Sequence, residues 1–198
     1  TLLADPINIE SNFRDYLNGF SENMQDILDN FKFDVEITTM ADNDVLFYVI
    51  QEFNKADAYL GPDKMTSTDM GYVFEELVRK FSESYNEEAG AHFTSRDIIY
   101  LMTDLLLIED KNTLFKEHVF KTVYDQTMGT SQMLSAMTER IHDVNDTAEV
   151  ATFGQELNPE TYAIAKADTM IRGGDPGNMA LGSTLTKDQF AGFTFDYC

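Results

Sequence analysis

The chain has 198 residues, with 35 acidic against 14 basic side chains for a formal charge of −21, and its 43% hydrophobic and 12% aromatic content exclude compositional disorder. So acidic a surface repels phosphates at long range, which excludes a chain that grips a DNA duplex alone by counterion release; any nucleic acid it serves is held by a partner. A single cysteine, Cys198, excludes an intrachain disulfide framework, and apolar runs such as Leu105-Leu106-Leu107-Ile108 are too short to span a bilayer, so the chain reads as soluble and cytoplasmic.

Over 11–30 the apolar residues Phe13, Leu17, Phe20, Met24, Ile27 and Leu28 recur at steps of three and four, which predicts one helix with Ser11 as its cap. A second helix is expected over 43–59 through Leu46, Val49, Ile50 and Phe53, and a third over 67–85 through Met70, Val73, Phe74, Leu77, Val78 and Phe81. Gly61-Pro62-Asp63 marks a turn between them. A fourth helix is expected from Ser95, with Ile98, Ile99, Met102, Leu105 and Leu106 facing inward.

The grammar changes near Lys121. A short β-type run over 121–125 leads through Gly129 into a helix carrying Met133, Leu134, Met137 and Ile141. A strand over 149–157 precedes Asn158-Pro159, a cap with proline at the first helical position, and Gly173-Gly174 closes that helix after Arg172. Residues 178–181 read as a third strand and 194–198 as a fourth. Strands alternating with helices predict an α/β fold with a parallel sheet, behind a helical region over 1–110. Because no turn or polar tail follows the last strand, the chain is expected to be truncated.

In such a sheet, ligands bind beyond the carboxyl ends of the strands, so the informative residues follow Asp125, Glu156 and Leu181. Gly129 marks either a ligand loop or an ordinary strand-to-helix turn; it stands alone, so neither a G-x-G-x-x-G fingerprint nor a triphosphate loop is present. Glu156 is placed to accept hydrogen bonds from both hydroxyls of a ribose, or is a solvated strand-end carboxylate. Together the two features favour a nucleoside-bearing cofactor. His92, His118 and His142 are too dispersed for a compact metal site, and residues 143–149 lack the spacing of a calcium loop.

Three segments, Ala91-His92-Phe93-Thr94-Ser95-Arg96, residues 125–134 and Phe153-Gly154-Gln155-Glu156-Leu157-Asn158-Pro159-Glu160, occur in that order. In this they resemble the F-x-T-P-R-like, D-P-x-x-G-[ST]-G-x-x-L-like and G-x-E-x-N-P-like segments of the modification (methyltransferase) subunits of type I restriction-modification systems. The resemblance covers roughly 67–198. It implies a Rossmann-like S-adenosylmethionine-dependent methyltransferase sheet, present in part over 111–198, and adenine-N6 methylation of DNA. It also implies a complex with a specificity subunit, a second modification subunit and a restriction subunit.

By that resemblance, Ala91, His92, Phe93, Thr94, Ser95 and Arg96 line the methionine end of the cofactor. Thr130, Ser131 and Gln132 meet it from the first loop, Asp125 and Gly129 shape that loop, Glu156 holds the ribose and Ser183 lies near the adenine. Gln126 stands where the family usually has proline, Gln132 where it commonly has a second glycine, and Ser95 where proline follows the threonine. The family's catalytic N-P-P-[FY] segment, whose polar groups accept hydrogen bonds from the target amine and whose ring stacks on the flipped base, is expected beyond Cys198. The chain by itself is therefore expected to lack transfer activity, and no metal is needed. The alternative is a noncatalytic assembly module that retains the fold.

Overall fold

The computed structural model describes residues 2–84 and 94–198, and the chain divides into two compact units, Thr1–Met70 and Gly71–Cys198. Its helices are α1 (Ile9–Asn18), α2 (Glu22–Asn30), α3 (Phe33–Asp42), α4 (Leu46–Phe53), α5 (Ser67–Ser84), α6 (Arg96–Leu107), α7 (Lys111–Leu114), α8 (Gln132–Val144) and α9 (Pro159–Ile171). The strands are β1 (Phe120–Asp125), β2 (Glu149–Glu156) and β3 (Met179–Leu181).

In the first unit, the single helix expected over 11–30 is two. The Gly19 and Phe20 amides close a turn on Tyr16 and Leu17, and Ser21 takes an extended conformation and caps α2 by accepting from the Met24 amide at 3.4 Å. Ser11 is not the cap of α1: that position is Asn8, and the Ser11 hydroxyl donates to the Asn8 carbonyl. The helix expected over 43–59 is shorter, ending at Phe53 before a 3-10 turn at Ala56–Ala58, because Lys55 turns extended. Lys32, just before α3, lies in the left-handed region, which the apolar spacing did not signal. Ile27, Ile37 and Leu46 are buried, Phe13 meets Phe33 edge-on, and Arg14 pairs with Glu10 and Asp34.

The second unit is built on a parallel sheet in the order β1-β2-β3, with Asp125 opposite Gly154 and Glu156 opposite Leu181. Apolar residues of β1, α8, α9 and β3, including Val123, Leu134, Met137, Ile141, Tyr162, Ala165 and Met179, form one core. Helix α6 packs on α8 within the second unit, with Arg96 at its start paired to Glu75 of α5. Its inward residues are Ile99, Thr103 and Leu107; Ile98, Met102, Leu105 and Leu106 are exposed, contrary to expectation. The helix is apolar on most sides, and the i, i+4 row that meets α8 cannot be chosen from spacing alone.

The other sheet face carries Tyr124 and Phe153, covered by Phe190 and Phe195. The fourth strand expected over 194–198 is a single parallel bridge: Tyr197 pairs with Val123, and the Tyr124 amide donates to the Tyr197 carbonyl at 2.9 Å. Among the described residues, no helix is long and apolar enough to cross a membrane.

Candidate functional site

The parallel register brings the ends of β1, β2 and β3 to one edge, and the chain leaving each strand turns over that edge. After β1, the Asp125 carboxylate accepts from the Thr127 amide at 3.0 Å and closes a turn. The Met128 amide then donates to the Gln155 carbonyl, and the Met128 side chain enters the core. Gly154 makes room for it, since a Cβ there would stand 2.2 Å from Met128 Sδ. Gly129 follows at φ +55°; among the described residues, its chain neighbours aside, no heavy atom stands within 4 Å of where its Cβ would be, so the bend is left-handed and its outer side is open to them.

Glu156 lies directly against this bend. Its Oε2 accepts from the Gly129 amide at 3.0 Å and its Oε1 from the Asn158 amide at 2.9 Å. A carboxylate offers about four acceptor sites, so the two oxygens retain capacity for further donors. Asn158 in turn caps α9, accepting from the Glu160 and Thr161 amides, with Pro159 at the first helical position.

The third strand end is tied to the other two. The Gly182 amide donates to the Glu156 carbonyl at 2.8 Å, the Ser183 carbonyl accepts from the Lys187 amide at 2.9 Å, and the Thr184 hydroxyl donates to the Gln126 carbonyl at 2.6 Å. Gln155, fully buried, holds the same segment by donating to the Lys187 carbonyl and accepting from the Gln189 amide. Burial pushes the Asp125 carboxyl above its ordinary value; the Thr127 amide opposes this, and the nearby charge of Glu156 adds to it. Two acids at one bend disfavour a phosphate and suit hydroxyl donors and cationic groups.

Beside the bend, Arg96, Thr130 and Gln132 line a partly open cleft with Glu75, Ser135 and Asp168. Arg96 donates to Glu75 at 2.7 Å and lies over the Tyr72 ring.

The sequence model of N-6 DNA Methylase matches residues 66–198. The chain belongs to the N-6 DNA methylase family. It is 24% identical over 160 residues to the type I restriction enzyme MjaIX methylase subunit of Methanocaldococcus jannaschii, covering 79% of this chain and 26% of that protein. It is 30% identical over 109 residues to the HindI methylase subunit of Haemophilus influenzae, covering 54% of this chain and 22% of that protein. The crystal structure of the type I restriction-modification system methyltransferase subunit from Streptococcus thermophilus shares the fold, with a TM-score of 0.63 and 24% identity over 95% of this chain and 39% of that one. The chain thus spans about a quarter of the length of the first two curated relatives.

Within this family member, the residues singled out from sequence fall into two neighbouring groups. Asp125, Gly129, Glu156 and Ser183 converge at the strand ends, while Arg96, Thr130 and Gln132 share the cleft. Thr94 and Ser95 are exposed before α6, and Ala91, His92 and Phe93 lie outside the described residues.

Two of these residues are engaged by other groups of the protein. Ser131 is 1% exposed, its amide donates to the Met128 carbonyl and its hydroxyl to Asp168, so it supports the loop from within instead of presenting a donor outward. The Arg96 guanidinium is engaged by Glu75 and Tyr72, so it shapes the cleft wall as part of an ion pair. Asp168, Arg172 and Gln155 were not anticipated. The first two, four apart at the end of α9, carry the spacing of an ordinary solvated pair, and nothing in that spacing marks Asp168 as buried.

Proposed function

We propose that the full-length protein is the modification subunit of a type I restriction-modification system, transferring the methyl group of S-adenosylmethionine to adenine N6 in DNA. The observation that carries this reading is the contact between the Glu156 carboxylate and the Gly129 bend, within a chain of the N-6 DNA methylase family. Glu156 would accept the ribose hydroxyls through its remaining acceptor sites. Gly129, open on its outer face, allows close approach of the ligand to the backbone at Thr130, and Asp125 adds negative potential suited to an ammonium or sulfonium group. Bound there, S-adenosylmethionine supplies an electrophilic methyl carried on a sulfonium. The chain's residues orient the donor and hold the bend around it, and orientation of this kind is a large part of what a transfer enzyme contributes.

The −21 charge supports a division of labour in which DNA is held mainly by a specificity subunit, alongside a second modification subunit and a restriction subunit, in the cytoplasm. The names of the curated relatives, methylase subunits of type I restriction enzymes, support this assembly. N-P-P-[FY] does not occur among the 198 residues, and the chain by itself is expected to bind the donor without transferring its methyl group.

The test is calorimetry of the full-length protein with S-adenosylmethionine. Glu156→Gln keeps the side-chain size but replaces one acceptor oxygen by a donor facing the backbone amides. The loss of charge-assisted hydrogen bonds, about 1.5–3 kcal/mol, is expected to weaken binding by about 10- to 100-fold. Equal affinity for wild type and variant would refute the ribose assignment.

A further inference from the structure

Beneath the bend lies a set of buried polar groups for which the family resemblance gives no role. Asp168, 5% exposed on α9, accepts from the Ser131 hydroxyl at 3.3 Å and the Ser135 hydroxyl at 2.9 Å through Oδ2. The Arg172 Nε lies 3.0 Å from each of its carboxylate oxygens. Arg172 continues the chain of contacts, donating to Glu139 at 3.3 Å and standing 3.8 Å from Glu75, which binds Arg96. Gly71 makes space for that guanidinium: a Cβ there would stand 2.6 Å from Arg172 Cζ.

The group that Asp168 holds most consequentially is Ser131. This residue sits at φ 67°, ψ 14°, the left-handed region that a non-glycine residue adopts at a cost. It follows Gly129, also left-handed, and precedes the first turn of α8. A strained residue persists where its surroundings over-determine it. Here the surroundings are the Met128 carbonyl, which takes the Ser131 amide at 2.8 Å, and the Asp168 carboxylate, which takes its hydroxyl. Burial pushes the Asp168 carboxyl upward, and Arg172 and the two hydroxyls oppose that rise.

We propose that Asp168 is a positioning residue: by holding Ser131 left-handed it fixes the bend at which Gly129 meets Glu156, and through Arg172 and Glu75 it ties that bend to Arg96 at the start of α6. As a statement about a cofactor it rests on the reading of the bend as an S-adenosylmethionine site; as a statement about the bend it does not.

The experiment separates the two. In the full-length protein, amide hydrogen exchange over residues 129–132 reports the bend, and calorimetry reports affinity for S-adenosylmethionine. Asp168→Asn is expected to accelerate exchange of the bend and to weaken binding about tenfold, the loss of one hydrogen bond to a charged group. In a Ser131→Gly background, where the left-handed conformation is intrinsic, the same Asp168→Asn change is expected to cost less than about twofold. A role confined to general stability would produce equal losses in both backgrounds, and that result overturns the proposal. Should Asp168→Asn fail to fold, Ser131→Ala removes the hydroxyl while leaving the Asp168–Arg172 pair in place; unchanged exchange and affinity there overturn it equally. A wild-type protein that binds no donor, yet whose bend exchanges faster on Asp168→Asn, retires the methyl-donor reading and upholds the positioning role.

Discussion

The seat of Met128 in β2 offers a severe test of how the bend is built. An ideal Cβ at Gly154 stands 2.2 Å from Met128 Sδ and 3.1 Å from both its Cβ and Cγ, against 3.4–4 Å for ordinary contact. Three successive atoms of Met128 are too close, so rotating the thioether end alone does not clear the overlap. The side chain is 4% exposed among Val123, Leu134 and Tyr162, leaving little space to retreat. Gly154→Ala is therefore expected to cost about 1–3 kcal/mol through overpacking. Met128→Ala, which removes a buried methionine, is expected to cost about 2–5 kcal/mol. The double variant, in which the new methyl occupies part of the vacated volume, should cost clearly less than the two together, by at least about 1 kcal/mol. Urea unfolding of the four proteins measures this coupling. Because Met128 immediately precedes Gly129, Gly154→Ala should also weaken S-adenosylmethionine binding in the full-length protein. Strictly additive stabilities, or Gly154→Ala indistinguishable from wild type, would refute the argument that Gly154 exists to seat Met128.

Gly129→Ala meets no steric neighbour among the described residues, so its expected cost is that of the left-handed conformation, about 1–2 kcal/mol by denaturant midpoint; a larger loss would mean that the bend is not open. The latch between β1 and Tyr197 should weaken in acid. Lys121 and then Tyr197 hold the Asp110 carboxyl below its ordinary 3.8, and at Asp196 burial is outweighed by hydrogen bonds from Thr122 and the charge of Lys121, giving the same direction. Carboxyls with depressed folded-state values contribute stability that is complete above that ordinary value and lost as the pH falls through the lower folded one. Lys121→Met should lose stability at neutral pH and show a flatter decline below pH 4 than wild type, measured by urea midpoints; parallel pH profiles would remove Lys121 from the latch.

The second half of the chain was legible because its signals are local and chemically specific. Asn158-Pro159 and Gly173-Gly174 punctuate α9 through a side-chain cap, a missing amide and a permissive backbone, none of which depends on tertiary packing. The junction of Glu156 with Gly129 was legible for a related reason: in a parallel sheet, residues at adjacent strand ends share an edge whatever surrounds them. Reading failed where a face had to be chosen or a strained residue recognised. Helix α6 offers apolar residues on most sides, and only the shape of α8 selects Ile99, Thr103 and Leu107 over their neighbours. The hydroxyl of Ser131 suits a hydrogen bond within the loop, but nothing local signals its left-handed backbone or names its partner, an aspartate 37 residues later. The same geometry accommodates Gln132 at the position where the resemblance implies a second glycine. The left-handed turns fall at Gly129 and Ser131, one supplied by glycine and the other held by Asp168, so position 132 need only begin a helix, which glutamine does well.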